Sequence, residues 1–244
     1  MQQSEEFRVG DHVLVVSERG GDGPTFLLVH GLGMGRDAYT EFIDALARRG
    51  HAIALDLPGF GDSPEPQRSL PIPQMADLVA QYLAESGAEP VVAIGHSMGT
   101  QVVAELAARH PELVRELVLI APTVNARERT VWRQVLRMLQ DLLGEHPKVI
   151  ARGLVLYAKA GPAWFVRKFR TMMAHHIEEV APQIGVPTLV MRGERDRVCP
   201  EGWVRSVAEL IPDATLKQVP GKSHETMISS AEPVADLITE FARR

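Results

Sequence analysis

Short apolar runs bounded by Gly, Pro or polar residues alternate with stretches of helical spacing through the first half of the chain. Thr25–His30, Ala52–Asp56, Val91–Gly95 and Leu117–Ala121 are such runs, and Phe7–Val9 and His12–Ser17 flank Gly10-Asp11 as an opening pair. Apolar at nearly every position, the four runs read as strands covered on both faces, the usual state in a parallel sheet. Tyr39–Arg49, Pro73–Ser86 and Met98–His110 have helical spacing, the second ending near Gly87 and the third before Pro111. This order predicts an α/β fold, a doubly wound and mostly parallel sheet of about eight strands with right-handed crossovers.

The rhythm breaks after residue 121. From 125 to 180 the pattern is helical, with Trp132, Val135, Leu136, Leu139 and Leu143 forming an apolar stripe in Arg129–Leu143. Gly144, Gly161-Pro162 and Pro182 punctuate the remainder of that stretch and its end. Strand spacing resumes at Pro187–Arg192 and Ala214–Val219, with a helix over Glu201–Leu210 and a last one from Pro233. The expected organisation is therefore a sheet domain of residues 1–122 and 184–244, carrying a helical insertion at 123–183.

Composition excludes several classes. With 45% apolar and 23% charged residues the chain is ordinary globular material, and a net charge of −5 argues against a general nucleic-acid binder. Cys199 is the single cysteine, so no intramolecular disulfide and no cysteine-built metal site can form. The opening MQQSEEFRVG lacks the basic start and apolar run of a secretory signal. No stretch approaches the roughly 18 apolar residues of a membrane span, so a soluble, cytoplasmic protein is expected.

Chemistry concentrates in a few segments. Gly95-His96-Ser97-Met98-Gly99 follows the run Val91–Gly95 and opens a helix. In G-x-S-x-G the serine occupies a strained strand-to-helix turn that lifts its hydroxyl above the sheet, and the glycines relieve the crowding of that turn. A chance match in a glycine-containing turn is the competing reading, and the strand–turn–helix context weighs against it. His30-Gly31-Leu32-Gly33 ends the run Thr25–His30, about 65 residues earlier. Acyl transfer passes through an oxyanion that needs pre-aimed donors. The backbone N–H groups of Met98 and Leu32 are the candidates.

A nucleophilic serine needs a base, and the base an orienting carboxylate, in the chain order serine, acid, histidine. Gly193-Glu194-Arg195-Asp196 comes after the run Pro187–Arg192, and Gly221-Lys222-Ser223-His224 after Ala214–Val219. Both lie beyond the carboxyl ends of strands, where open α/β sheets carry their sites. Asp196 is the candidate acid and His224 the candidate base. Glu194 is a rival closer to the strand end, and a surface turn acid is the bland alternative for Asp196.

Taken together, HGLG at 30–33, DLPGFGDS at 56–63, GHSMG at 95–99, GERDRVCP at 193–200 and PGKSHE at 220–225 resemble the α/β-hydrolase family, capped members in particular, over nearly the whole chain. The resemblance implies Ser97, Asp196 and His224 as the triad, Leu32 and Met98 as the oxyanion-hole positions, and 123–183 as the cap. It implies that Asp56–Ser63 shapes the sheet end, with neither Asp56 nor Asp62 catalytic. Departures narrow the subfamily. A serine at the elbow disfavours dehalogenases and epoxide hydrolases, which use aspartate. Glu225 after His224, and Met34-Gly35 after Gly33, tell against the carbon–carbon hydrolases. The elbow also lacks the G-G-S-W-G of proline-specific aminopeptidases.

The expected activity is hydrolysis of a carboxylic ester, lactone or thioester of a small, mostly apolar substrate through an acyl-enzyme, with no cofactor and no metal. The alternatives are lyase, cyclase or acyl-transfer chemistry, carbon–carbon hydrolysis, and a ligand sensor with a retained triad. Cys199 reads as a packed residue, and His175-His176 as ordinary insertion residues, since adjacent histidines point apart on a helix. Trp132, Tyr157, Trp164, Phe165, Met172 and Met173 read mostly as packing within the insertion. Residues 125–180 hold ten Lys or Arg against five Asp or Glu. A solvated face is the favoured reading of that excess, and attraction of anionic substrates the sharper one.

Overall fold

Eight strands form a single sheet: β1 (Ser4–Val9), β2 (His12–Gly20), β3 (Thr25–Val29), β4 (His51–Asp56), β5 (Val91–His96), β6 (Val114–Ile120), β7 (Thr188–Gly193) and β8 (Ala214–Val219). Their order across the sheet is β1-β2-β4-β3-β5-β6-β7-β8. The pairs β1/β2 and β2/β4 are antiparallel, and every later pair is parallel. This computed structural model describes residues 4–142 and 162–243. The predicted doubly wound, mostly parallel sheet is what the chain forms.

Each central strand feeds two cores. In β3, Leu27 and Val29 join the core under one set of helices, while Phe26 and Leu28 join the core on the opposite face. Both sets are buried, which is why these strands read as unbroken apolar runs instead of alternating ones. On one face α1 (Thr40–Ala47), α8 (Thr226–Ser229) and α9 (Ala231–Phe241) supply Phe42, Ile43, Leu46, Met227, Val234 and Ile238. Full burial of a side chain such as Phe42 contributes about 1.5–3 kcal/mol. On the other face lie α2 (Ile72–Ser86), α3 (Met98–Arg109) and α7 (Glu201–Leu210). Boundaries shift where proline is tolerated. Helix α2 starts one residue before Pro73 and α9 two residues before Pro233, and both prolines fit inside the first turn because an N–H there has no helical partner to lose.

Between β6 and β7 run α4 (Val131–Leu142), α5 (Pro162–Ala174) and α6 (Ile177–Val180). Helix α5 is pinned to the loop after β4: Trp164 Nε1 donates to the Gly59 carbonyl at 2.7 Å, and the fully buried Lys168 Nζ donates to the Pro58 carbonyl at 3.1 Å. Lys168 also faces Glu65 at 3.2 Å and the Phe60 ring. Burial pulls the ammonium pKa down, against the pull of Glu65. Gln101 of α3 adds a second anchor, donating to the carbonyls of Thr123 and Met172.

One expectation about this segment is corrected. Trp132, Val135 and Leu136 are exposed, Trp132 to 62%, so that part of the α4 stripe does not pack inward. Instead α4 turns Gln134 inward, its amide donating to the Glu128 carbonyl, and Arg137 pairs with the Glu128 carboxylate. Leu143 and Tyr157 lie outside the described residues, and the side chain of Leu139 does too. Among the described residues no helix is long and apolar enough to cross a membrane.

Candidate active site

Ser97 stands between the end of β5 and the first turn of α3, with φ 52° and ψ −117°. A non-glycine residue at positive φ is costly for an L-amino acid, and such strain clusters at functional sites. Neighbouring backbones force the flanking glycines. A Cβ on Gly95 would lie 2.5 Å from the Gly99 carbonyl oxygen, and one on Gly99 would lie 2.2 Å from that of Val29. The turn therefore closes only with both side chains absent, and it leaves Ser97 8% exposed at the head of α3.

Asp196 and His224 come together from the neighbouring loops after β7 and β8. His224 Nδ1 lies 2.9 Å from Asp196 Oδ2, and Asp196 Oδ1 accepts the Cys199 N–H at 2.8 Å. The buried Arg192 staples the acid loop, donating to the carbonyls of Asp196 and Cys199. Glu194 is occupied elsewhere, its carboxylate accepting the Gly221 N–H at 2.7 Å on the exposed side of the next turn. Burial alone would lower the His224 pKa. The charge and hydrogen bond of Asp196, with a smaller contribution from Cys199, instead hold it well above the ordinary imidazole value.

The H-G-L-G segment is fixed by His30. A carbonyl can only accept and an N–H can only donate, so His30 Nδ1 donates to the Gly31 carbonyl at 2.8 Å and Nε2 accepts the Leu57 N–H at 3.1 Å. Those partners define one neutral tautomer, and burial pushes the His30 pKa down in agreement. Among the described residues, the backbone N–H groups of Leu32 and Met98 carry no hydrogen-bond partner. Asp56 is fully committed as an acceptor. It takes the Arg36 N–H at 2.6 Å and the Asp62 N–H at 2.9 Å, and it pairs with the buried Arg36 guanidinium.

A cavity of about 90 Å³ is lined by Leu32, Ser97 and His224 together. Thr123, Gln134, Met172 and Val198 complete it from the β6–β7 segment and the acid loop. Sequence reasoning does not find Gln134, Thr123 or the cavity contact of Glu225. A glutamine inside a helical stripe carries no local signal of facing a site. His96, the variable residue of the elbow, also lines the cavity, and burial beside His224 holds its pKa well below the ordinary value. Among the described residues, two groups have metal-ligating atoms close together, His96 with His224 and Glu225, and Asp196 with Cys199 and His224. They share His224, whose Nδ1 already faces Asp196, and the Cys199 thiol lies 3.2 and 3.3 Å from the carbonyls of Ala121 and Pro122, to which its single proton is directed. His175, discounted as a ligand, pairs with buried Glu105 at 2.9 Å, away from this cavity.

The fold and these segments have counterparts. A model of the family described as alpha/beta hydrolase fold matches residues 24–148, and one described as TAP-like protein matches residues 164–244. The pimeloyl-[acyl-carrier protein] methyl ester esterase of Chromobacterium violaceum is 26% identical over 246 residues, spanning 90% of this chain and 94% of the relative. The crystal structure of a membrane phospholipase A, described as a bacterial virulence factor, is similar at TM-score 0.86 and 29% identity, over 99% of this chain and 86% of that one. A thermophilic esterase from Thermogutta terrifontis shares the fold at TM-score 0.83 and 23% identity, over 99% and 98% of the two chains.

Proposed function

The chain belongs to the α/β-hydrolase fold family, and we propose that it hydrolyses a carboxylic ester, lactone or thioester through an acyl-enzyme on Ser97. The observation that carries this reading is the His224–Asp196 pair opening on the same cavity as the strained Ser97. The full-length similarity to methyl ester esterases supports an ester bond as the substrate bond. Apolar lining from Leu32, Met172 and Val198 supports an apolar acyl group.

In this mechanism Asp196 accepts the Nδ1–H of His224, which leaves the Nε2 lone pair as the base. Ser97 Oγ attacks the carbonyl carbon as His224 takes its proton, and the carbonyl oxygen gains the negative charge. The N–H groups of Leu32 and Met98 stabilise that oxyanion, aided by the positive end of α3. Collapse of the intermediate expels the alcohol or thiol, which takes the proton from His224. Water then repeats the sequence on the acyl-enzyme, releasing the acid and restoring Ser97. Residues 123–183 serve as the cap, from which Thr123, Gln134 and Met172 line the cavity and limit acyl size, with the sheet domain formed by 1–122 and 184–244.

The test is steady-state hydrolysis of p-nitrophenyl esters from acetate to decanoate, with Ser97→Ala in parallel. A loss of kcat by a factor on the order of 10⁶ in the variant is the expected result. Near-normal turnover without the hydroxyl sinks the assignment. The chain-length optimum sizes the capped cavity.

A further inference from the structure

Two N–H groups can serve one oxyanion only if the segments that carry them hold a fixed separation. Leu32 belongs to the loop after β3 and Met98 to the first turn of α3, about 65 residues apart in sequence. The loop backbone lies directly on the elbow: a Cβ on Gly31 would be 3.2 Å from Ser97 Cβ and 3.1 Å from His96 Nδ1. A third residue, Tyr39, touches both segments. It ends the short 3-10 turn Arg36–Tyr39 before α1, and its side chain is buried.

The Tyr39 hydroxyl meets three partners. It accepts the Gly31 N–H at 3.1 Å, lies 2.8 Å from His96 Nδ1, and lies 3.1 Å from Met34 Sδ. Its ring meets the His96 ring edge-on, with centroids 5.8 Å apart. A hydroxyl has one proton to give. The imidazole nitrogen is nearer than the thioether sulfur and a far better acceptor, so the proton goes to His96. Burial, beside His224, keeps His96 neutral, and burial, with Glu225 nearby, keeps the Tyr39 phenol protonated. A neutral His96 that accepts at Nδ1 carries its own proton on Nε2, which lies 3.6 Å from Glu225 Oε2. With that assignment the chain runs from Gly31 N–H to Tyr39 O–H to His96 Nδ1.

We propose that Tyr39 is a positioning residue, whose buried hydroxyl ties the Gly31–Leu32 backbone to the Ser97 elbow and so sets the spacing of the two oxyanion donors. The proposal rests on the reading of Leu32 and Met98 as those donors. Tyr39 lines no part of the cavity and acts only through the backbone of its neighbours. The alternative is that the ring fills the core and the hydroxyl is satisfied incidentally. Loss of the hydroxyl would then lower the melting temperature and leave the kinetics unchanged, whereas a spacing role moves transition-state affinity apart from substrate affinity.

Tyr39→Phe separates the two accounts. The expected result is a kcat lower by at least about tenfold with KM held within about twofold. Affinity for a trifluoromethyl ketone, whose adduct with Ser97 places an oxyanion in the same position, should fall by the same factor as kcat/KM. His96→Ala supplies a second route, since it leaves the bond to Gly31 and removes the bond to the elbow. It should lower kcat in the same direction. A folded Tyr39→Phe with unchanged kcat and unchanged ketone affinity overturns the proposal, as does a folded His96→Ala with full kcat. Ser97→Ala, run beside them, keeps the two readings apart. Hydrolysis that survives without the serine refutes the serine mechanism itself. Hydrolysis that vanishes with Ser97→Ala and is untouched by Tyr39→Phe refutes only the positioning role.

Discussion

Asp196 faces His224 at 2.9 Å with one carboxylate oxygen and holds its own loop in place with the other. Removing the carboxylate would therefore disturb both the histidine and the turn, whereas Asp196→Asn keeps the size and changes the charge. Because Asp196 lifts the His224 pKa above its ordinary value near ~6.5, the acid limb of kcat/KM should lie above that pH. Asp196→Asn should move the limb down and lower kcat by roughly 10³–10⁴. A wild-type limb at or below the ordinary imidazole value would contradict the coupling.

Stability should depend on pH in two opposing ways. His30 and His96 are buried with folded pKa values below those of the unfolded chain. As pH falls through about 6.5, the unfolded chain takes up protons that the folded one refuses, so stability drops on the acid side. His224 has the opposite sign. Its raised pKa contributes stability that is complete below the unfolded value and is lost as pH rises through the folded one. Melting temperature against pH should pass through a maximum between these windows. A melting temperature that climbs steadily from neutral to acid pH would count against the neutral assignment of the two buried histidines.

Gly99→Ala should cost at least about 3 kcal/mol, because the added methyl meets the Val29 carbonyl and backbone cannot swing aside as a side chain can. Gly202 in α7 is the matched control, since a Cβ there meets nothing within 4 Å. Gly202→Ala should leave stability unchanged or raise it by about 0.5–1 kcal/mol through helix propensity. Denaturant unfolding of the two variants tests the contrast, and equal effects would refute the account of the elbow glycines.

Ion pairs spread the basic charge of 125–180 among neighbouring acids, as on a solvated face, and so bear on the expected salt response. Arg129 pairs with Glu178, Arg137 with Glu128, and Arg167 and Lys168 with Glu65, so four of its cations already face acids. On the solvated-face reading, rates with an anionic and a neutral ester should show equal salt slopes between about 0.05 and 0.5 M salt. A much steeper decline for the anionic ester would reverse this and mark the segment as an anion-attracting surface.

Features with a local cause are the ones legible in the sequence. The strands β3 to β5 announce themselves because burial on both faces demands unbroken apolar runs, and Ser97 because its turn demands two glycines. Asp196 and Glu194 can be ranked from sequence but not separated, since the choice depends on which carboxylate the neighbouring loop reaches. Tyr39 is legible only as a residue at the start of a helix. Its partners lie 8 and 57 residues away and meet it through the crossover of β3 and β5, a relationship that no local spacing encodes. The outward face of Trp132 escapes for a related reason: periodicity identifies an apolar stripe without saying what it faces.

The parallel pairing of β7 with β8 places the proposed base in the loop after the last strand of the sheet, 127 residues after the proposed nucleophile in the order of synthesis. At ribosomal speeds of about 5–20 residues per second, the strained Ser97 elbow is made roughly 6 to 25 seconds before His224 exists to activate it. A nascent chain can thus complete its elbow while still chemically silent. Acyl-enzyme formation becomes a marker of finished folding at the far edge of the sheet, which a serine-reactive probe applied to stalled nascent chains of graded length would read directly.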